Sequence, residues 1–141
     1  GAVSTTDDPE IHTKMYAVGK HIGMAFQIKD DLLDYSEYEI GKPKRNDIVE
    51  RKVTLPFIKA LQHANKSDAR LYKKLMKKRR KSSSEVQQIV DFVSVNNGIS
   101  HAEEIMLEYA TKAKNELRDL ASPASAGPLL QLIDFITHRS K

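Results

Sequence analysis

The decapeptide Phe26-Gln-Ile-Lys-Asp-Asp-Leu-Leu-Asp-Tyr35 carries three carboxylates, Asp30, Asp31 and Asp34. On a helix, Asp30 and Asp34 stand one turn apart on one face, with Asp31 turned from them by about 100°. Like charges at this spacing repel by roughly a few tenths of a kcal/mol. Following the stripe towards the N-terminus gives Gln27, Gly23 and Gly19. A stripe that served packing alone would be filled with leucine or alanine, whereas each glycine inside a helix costs up to about 1 kcal/mol. Two glycines on the carboxylate face therefore suggest that something approaches the backbone closely. Carboxylates at this spacing, with no cysteine or histidine cluster beside them, suit a hard, oxygen-seeking cation such as magnesium. That ion is usually held by one or two carboxylates together with substrate phosphates. Two other readings stay open on these residues alone: a solvated acidic helix face, and a close helix-helix contact at the glycines.

The segment that follows adds cations. Lys42, Lys44, Arg45, Arg51 and Lys52 crowd into a short stretch, and Gly41 and Pro43 shape the turn that presents Lys42. Positive groups there lie close to where a metal-bound anion would sit. Carboxylates, a divalent ion and lysines are together the components of a diphosphate clamp.

The elements that must position these residues are helical. Apolar residues recur at intervals of three and four rather than two, between 5 prolines and 6 glycines that punctuate the chain. The first helix opens at Thr6-Asp-Asp-Pro9, where the acids or Thr6 can cap and Pro9 suits the first turn. It runs to about Tyr38, roughly 45 Å at 1.5 Å per residue, with Gly41 and Pro43 ending it. A second helix is expected from Thr54-Leu55-Pro56, with Thr54 as its cap. Others are expected over Ser67 to about Arg80, Ser83 or Ser84 to about Asn96, Ser100 to Leu120, and Pro128 to about Arg139. In the helix from Ser83 or Ser84 the Ser84-to-Gln87 spacing suggests a capping box, and Asn97-Gly98 a stop. The expectation is one all-α domain, a bundle of about six helices with short polar connections.

Composition bounds the rest. The chain has 141 residues, enough for one ordinary domain, and 40% of them are apolar. It has no cysteine, which excludes disulfide frameworks, thiolate zinc sites and cysteine nucleophiles. No apolar run approaches the roughly 20 residues needed to span a bilayer, and no signal-peptide pattern opens the chain. A cytoplasmic protein without a transmembrane segment is the expectation. The formal charge is +4, but it is local. Lys73 to Lys81 reads KKLMKKRRK, seven basic residues without an acid, and the remainder carries 16 basic against 19 acidic residues.

Several of these motifs occur together and in order. The run Gly19 to Tyr35, then Gly41-Lys-Pro, Asn46-Asp47 and Lys52-Val-Thr-Leu-Pro56, closely resembles the trans-isoprenyl diphosphate synthases, among them the bacterial octaprenyl or polyprenyl type. FQIKDDLLDY is similar to the second aspartate-rich motif of that family, and the ending LIDFITHRSK to its C-terminal helix with a basic tail. The resemblance implies Asp30 as a direct magnesium ligand, with Asp31 and Asp34 completing the site directly or through water. It implies that Lys42 and Lys52 hold the diphosphate of the allylic substrate, that Phe26 and Gln27 face the reacting end of the allylic chain, and that Asp47 supports the metal site or its lysines. Gly23 stays a supporting position on the carboxylate stripe. The implied partners are isopentenyl diphosphate and an allylic diphosphate, with Mg2+ as cofactor and a homodimer as the assembled enzyme.

The implied reaction is magnesium-assisted ionisation of the allylic diphosphate, attack by the isopentenyl double bond, and loss of a proton. Metal ions and lysines that stabilise the highly charged leaving group lower the barrier, and no nucleophilic side chain is required. Members of the family also carry a first aspartate-rich motif on an earlier helix and a Lys-Thr pair, and neither is found in this sequence. The chain thus resembles the C-terminal portion, somewhat less than half, of a synthase of the isoprenoid synthase fold. Alone it is expected to be inactive, the activity belonging to the parent enzyme. The alternative is a non-catalytic helical subunit or interaction domain that retains the diphosphate and metal site.

The basic run offers phosphate contacts to RNA, DNA or anionic lipid. Only Tyr72 stands near it as an aromatic, so base stacking has little to work with, and no nucleic-acid partner is expected. Leu71, Leu75 and Met76 favour a basic helix end packed on the domain. The five histidines show no paired metal spacing. Glu103, Glu104 and Glu108 precede Lys112 at helical intervals and read as an ion-paired solvent face. Tyr109 and the apolar residues of the last helices read as core.

Overall fold

A computed structural model of the chain describes residues 4–39, 47–120 and 123–139. Six helices follow one another: α1 (Pro9–Glu39), α2 (Leu55–His63), α3 (Lys66–Lys77), α4 (Ser83–Val95), α5 (Gly98–Leu120) and α6 (Pro123–His138). No strand occurs among the described residues. The chain packs as two compact units. One comprises residues 1–29 and 105–141, the other 30–104.

The second unit holds the aspartate-rich end of α1. Its core gathers Tyr35, Ile48, Phe57, Ala60, Met76, Val86, Ile89, Val90, Phe92 and Val93, with α2 and α3 both packed on α4. Phe92 is the centre of an aromatic group: Tyr72 stacks on it at 4.0 Å between centroids, and Phe57 tilts against it at 6.1 Å. The start of α5 passes very close to α2, because a Cβ on Gly98 would press into the carbonyl oxygen of Pro56 and touch Ala60 and Val93. Only glycine allows that approach. Asn97, just before it, takes φ 55 and turns the chain from α4 into α5.

The first unit has a smaller core of Val18, Leu117 and Ala126, with Met15, Ile22, Leu120, Leu129 and Leu130 against it. His21 bonds Glu116 there at 2.9 Å.

Several boundaries differ from the sequence expectation. The capping box of α4 is made by Ser82 and Glu85, in both directions, rather than by Ser84 and Gln87. Glu85 reaches back to the Ser82 amide and also pairs with Lys78 at 2.6 Å, a second partner that favours this register. α3 ends at Lys77, with Lys78 as its cap residue, so Arg79 and Arg80 lie beyond the helix. α6 begins at Pro123 and carries Pro128 within it. Proline suits the first helical position, and Pro123 occupies it, displacing the start that Pro128 alone suggests. Leu107, Leu132 and Phe135 are exposed rather than part of a core.

Candidate functional site

Asp30, Asp31 and Asp34 lie on the last turns of α1 and are all half-buried. Asp31 reaches across to α2, where its Oδ2 accepts the N–H of Leu55 at 3.2 Å. Thr54 occupies the N-cap position of α2 with extended backbone, yet its side chain makes no capping bond. Its buried hydroxyl lies instead 2.8 Å from the hydroxyl of buried Tyr35. The N–H of Leu55, the first orphan amide of α2, is satisfied by a carboxylate from another helix, which the positive end of the helix dipole also favours. Burial pushes the Tyr35 phenol well above its ordinary range, so it serves as a neutral hydrogen-bonding group next to the carboxylates.

A turn at residues 47–51 supplies the other side of the site. It closes through Arg51 N–H to Ile48 O at 3.2 Å and Lys52 N–H to Asp47 O at 2.8 Å, with Arg51 in the left-handed region at φ 64. The reversal carries Lys52 back over its own turn. Its Nζ meets Asp47 Oδ1 at 2.6 Å and Glu50 Oε2 at 3.8 Å, and the bond to Asp47 raises the Lys52 pKa. Lys81 Nζ donates to the Ile48 carbonyl at 2.9 Å and anchors the same turn.

Asp34 faces this turn. Desolvation, then the adjacent Asp47 carboxylate, push its pKa up to about 6, against the Asp47 amide and the Lys52 ammonium, which favour the charged form. Asp34 and Asp47 therefore act on one another as like charges, and among the described residues Lys52 bears on both. A cation placed there would reverse the shift at Asp34.

Asp34, Asp47 and Lys52 are thus brought together, with Asp31 one bond away on the α2 terminus. Lys42, with Lys44 and Arg45, lies outside the described residues. Phe26, Gln27 and Gly23 lie on the part of α1 that belongs to the first unit and are exposed. Phe26 carries the Arg139 guanidinium over its ring at 5.4 Å. A Cβ on Gly19 or Gly23 would meet nothing within 4 Å, so neither glycine makes the close helix-helix contact that was open to it. Among the described residues no three His, Cys, Asp or Glu side chains form a group able to hold a metal by themselves. The donors are all carboxylate oxygens, an incomplete set that suits a hard ion completed by phosphate oxygens and water. In that sense the residues fit magnesium.

Residues 1–93 match the family model described as polyprenyl synthetase. That stretch holds every carboxylate of the site, and Lys52. The chain belongs to the polyprenyl synthetase family. A prenyl transferase of Synechocystis sp. is 30% identical over 127 residues, covering 89% of this chain and 38% of its own length. Heptaprenyl diphosphate synthase component 2 of Bacillus subtilis is 28% identical over 142 residues, covering 99% of the chain and 39% of that protein. Among solved structures, geranylgeranyl pyrophosphate synthase from Bacteroides thetaiotaomicron superposes with TM-score 0.84 and 31% identity over 98% of this chain and 46% of that one. This polyprenyl synthetase chain thus spans roughly two-fifths of the curated relatives it matches. The fold is that of the helical isoprenyl synthases.

The sequence pointed to the acids and to Lys52, but missed Tyr35, Thr54 and the Leu55 amide as their supports. The only available signal was the adjacency of Tyr35 to Asp34 and of Thr54 to Leu55, which carries no information about which helix caps which.

Proposed function

We propose that this chain is the C-terminal portion of a polyprenyl diphosphate synthase, joining isopentenyl diphosphate to an allylic diphosphate to give a longer polyprenyl diphosphate. The observation that carries the reading is the family match over residues 1–93, which encloses Asp30, Asp31, Asp34, Asp47 and Lys52. Asp30, Asp31 and Asp34 would hold Mg2+, a hard ion that neutralises charge on a departing diphosphate. Asp31 is kept in place by the Leu55 amide, which bonds its Oδ2. Lys52 stands on Asp47 in the ligand-free chain, and an arriving diphosphate, more highly charged than one carboxylate, would draw the ammonium away from it. Asp47 holds that lysine ready and raises the proton affinity of Asp34 until a cation arrives. Lys42 would join Lys52 on the diphosphate, and Phe26 and Gln27 would face the allylic chain. Ionisation, attack by the isopentenyl double bond and proton loss need no nucleophilic side chain.

The names of the relatives run from geranylgeranyl to heptaprenyl and decaprenyl synthases, so the portion matched here is common to synthases of different product length. An octaprenyl product, a homodimer and a cytoplasmic location belong to the proposal for the parent enzyme. The isolated 141 residues are proposed to be inactive, because they contain one aspartate-rich segment where the family resemblance implies two. A second reading, a helical subunit that keeps the ligand site without the chemistry, finds support in the name of the Bacillus subtilis relative, a component of a synthase. An assay of the full reading frame with isopentenyl and allylic diphosphates separates the two. Elongated product supports the enzyme; its absence from an otherwise folded protein favours the subunit.

A further inference from the structure

We propose that the outer face of α3, with the loop behind it, docks on the anionic headgroup surface of a lipid bilayer. The basic run divides into two groups in the structure. Lys78 pairs with Glu85, and Lys81 donates to the carbonyls of Ile48 and Lys78, so these two tie the loop to the second unit. Lys73, Lys74, Lys77, Arg79 and Arg80 are exposed and form no ion pair with any described residue. Lys74 and Lys77, with Lys78, Leu71 and Leu75, line an open groove of about 430 Å3. Its floor is apolar, and Leu71 is 59% exposed, not packed on the domain as its helical position suggests.

An apolar floor rimmed by ammonium groups complements a layer that is anionic at its surface and apolar just beneath. Leu71 enters the boundary between headgroups and acyl chains, while the lysine stems lie along it with their charges at the phosphates. Charge complementarity thus selects an anionic surface, and the exposed leucine selects a lipid one. Nucleic acid fits less well, since the ring nearest the run, Tyr72, is partly buried with one face stacked on Phe92 against the core. On the synthase reading, and resting on it, this face would place the enzyme where an amphiphilic polyprenyl product leaves water.

Sedimentation of the 141-residue chain with vesicles tests the surface without any assay of activity or of diphosphate binding, so its failure is distinct from failure of the synthase reading. Vesicles of phosphatidylcholine containing phosphatidylglycerol should bind the chain, and phosphatidylcholine alone should not. Each basic side chain near the surface contributes about fivefold in affinity, so K74Q/K77Q should weaken binding about 25-fold, with a far-ultraviolet spectrum unchanged. L71S should weaken vesicle binding while leaving retention on a heparin column, a purely ionic support, as it was. Equal binding to neutral vesicles, or undiminished binding by K74Q/K77Q, would overturn the proposal. Tighter binding to a labelled RNA oligonucleotide than to anionic vesicles at the same salt would overturn it in favour of nucleic acid.

Discussion

Asp31 of α1 holds the first amide of α2: its Oδ2 accepts the Leu55 N–H at 3.2 Å, while Thr54 at the N-cap turns its hydroxyl to Tyr35. An aspartate of the proposed metal-binding motif is thus also a structural cap. The two roles separate by substitution. Asp31→Asn keeps an acceptor oxygen and should leave thermal stability within experimental error while weakening Mg2+-dependent pyrophosphate binding. Asp31→Ala removes the acceptor as well and should cost about 1 kcal/mol in urea unfolding, the usual loss at a helix start. Equal stability of the two variants would contradict the capping role.

The proton affinity of Asp34 makes the metal-free protein respond to pH in a defined direction. Its pKa of about 6 lies above the ordinary 3.8, so its contribution to stability is fully present below about pH 4 and is lost as pH rises through about 6. Acids with lowered pKa, such as Glu85 and Asp134, act with the opposite sign, so the informative quantity is a difference. Melting temperatures in EDTA should show Asp34→Asn gaining on the parent chain between pH 4 and pH 6.5 and holding a constant lead above. A difference independent of pH would show that the acids at 34 and 47 do not interact as described.

Lys52 is held at 2.6 Å by Asp47. Losing a charged donor to a diphosphate costs roughly 1.5–3 kcal/mol, so Lys52→Gln should weaken pyrophosphate binding in the presence of Mg2+ by about tenfold or more. Asp47→Asn should move the pH response of Asp34 downwards, because it removes the like charge beside it. Calorimetric titration reads the first effect and the melting series the second.

Gly98 lets α5 start against the Pro56 carbonyl. Gly98→Ala should destabilise the chain by about 3 kcal/mol, at the upper end of overpacking effects, since the atom it strikes is backbone and has no alternative rotamer. Gly23→Ala, where a Cβ meets nothing, should not destabilise it.

How much of this was legible in sequence differs from element to element. α1 was readable from Pro9 to its end because caps, period and terminators agree. The acidic motif and Lys52 were readable because their spacing is local. The capping of α2 was not, since Thr54 is a good cap by type and only the tertiary position of Tyr35 draws its hydroxyl away. The 47–51 turn was hidden for a related reason. It needs a left-handed residue, and Arg51 takes that conformation where a glycine would have announced it. The register of the α4 cap depended on Lys78, whose pairing with Glu85 joins two elements. The exposure of Leu71, at a position whose period suits the core, depended on how little of α3 packs on α4.

The most direct test of the account is a calorimetric titration of the chain with pyrophosphate in the presence and absence of Mg2+, repeated for Asp30→Ala, Lys42→Ala and Lys52→Gln. Binding that requires Mg2+ and falls about tenfold or more in each variant is the predicted result. The same heats with and without the metal, or unchanged heats in all three variants, would contradict the assignment of this helix end and turn as a magnesium-diphosphate site.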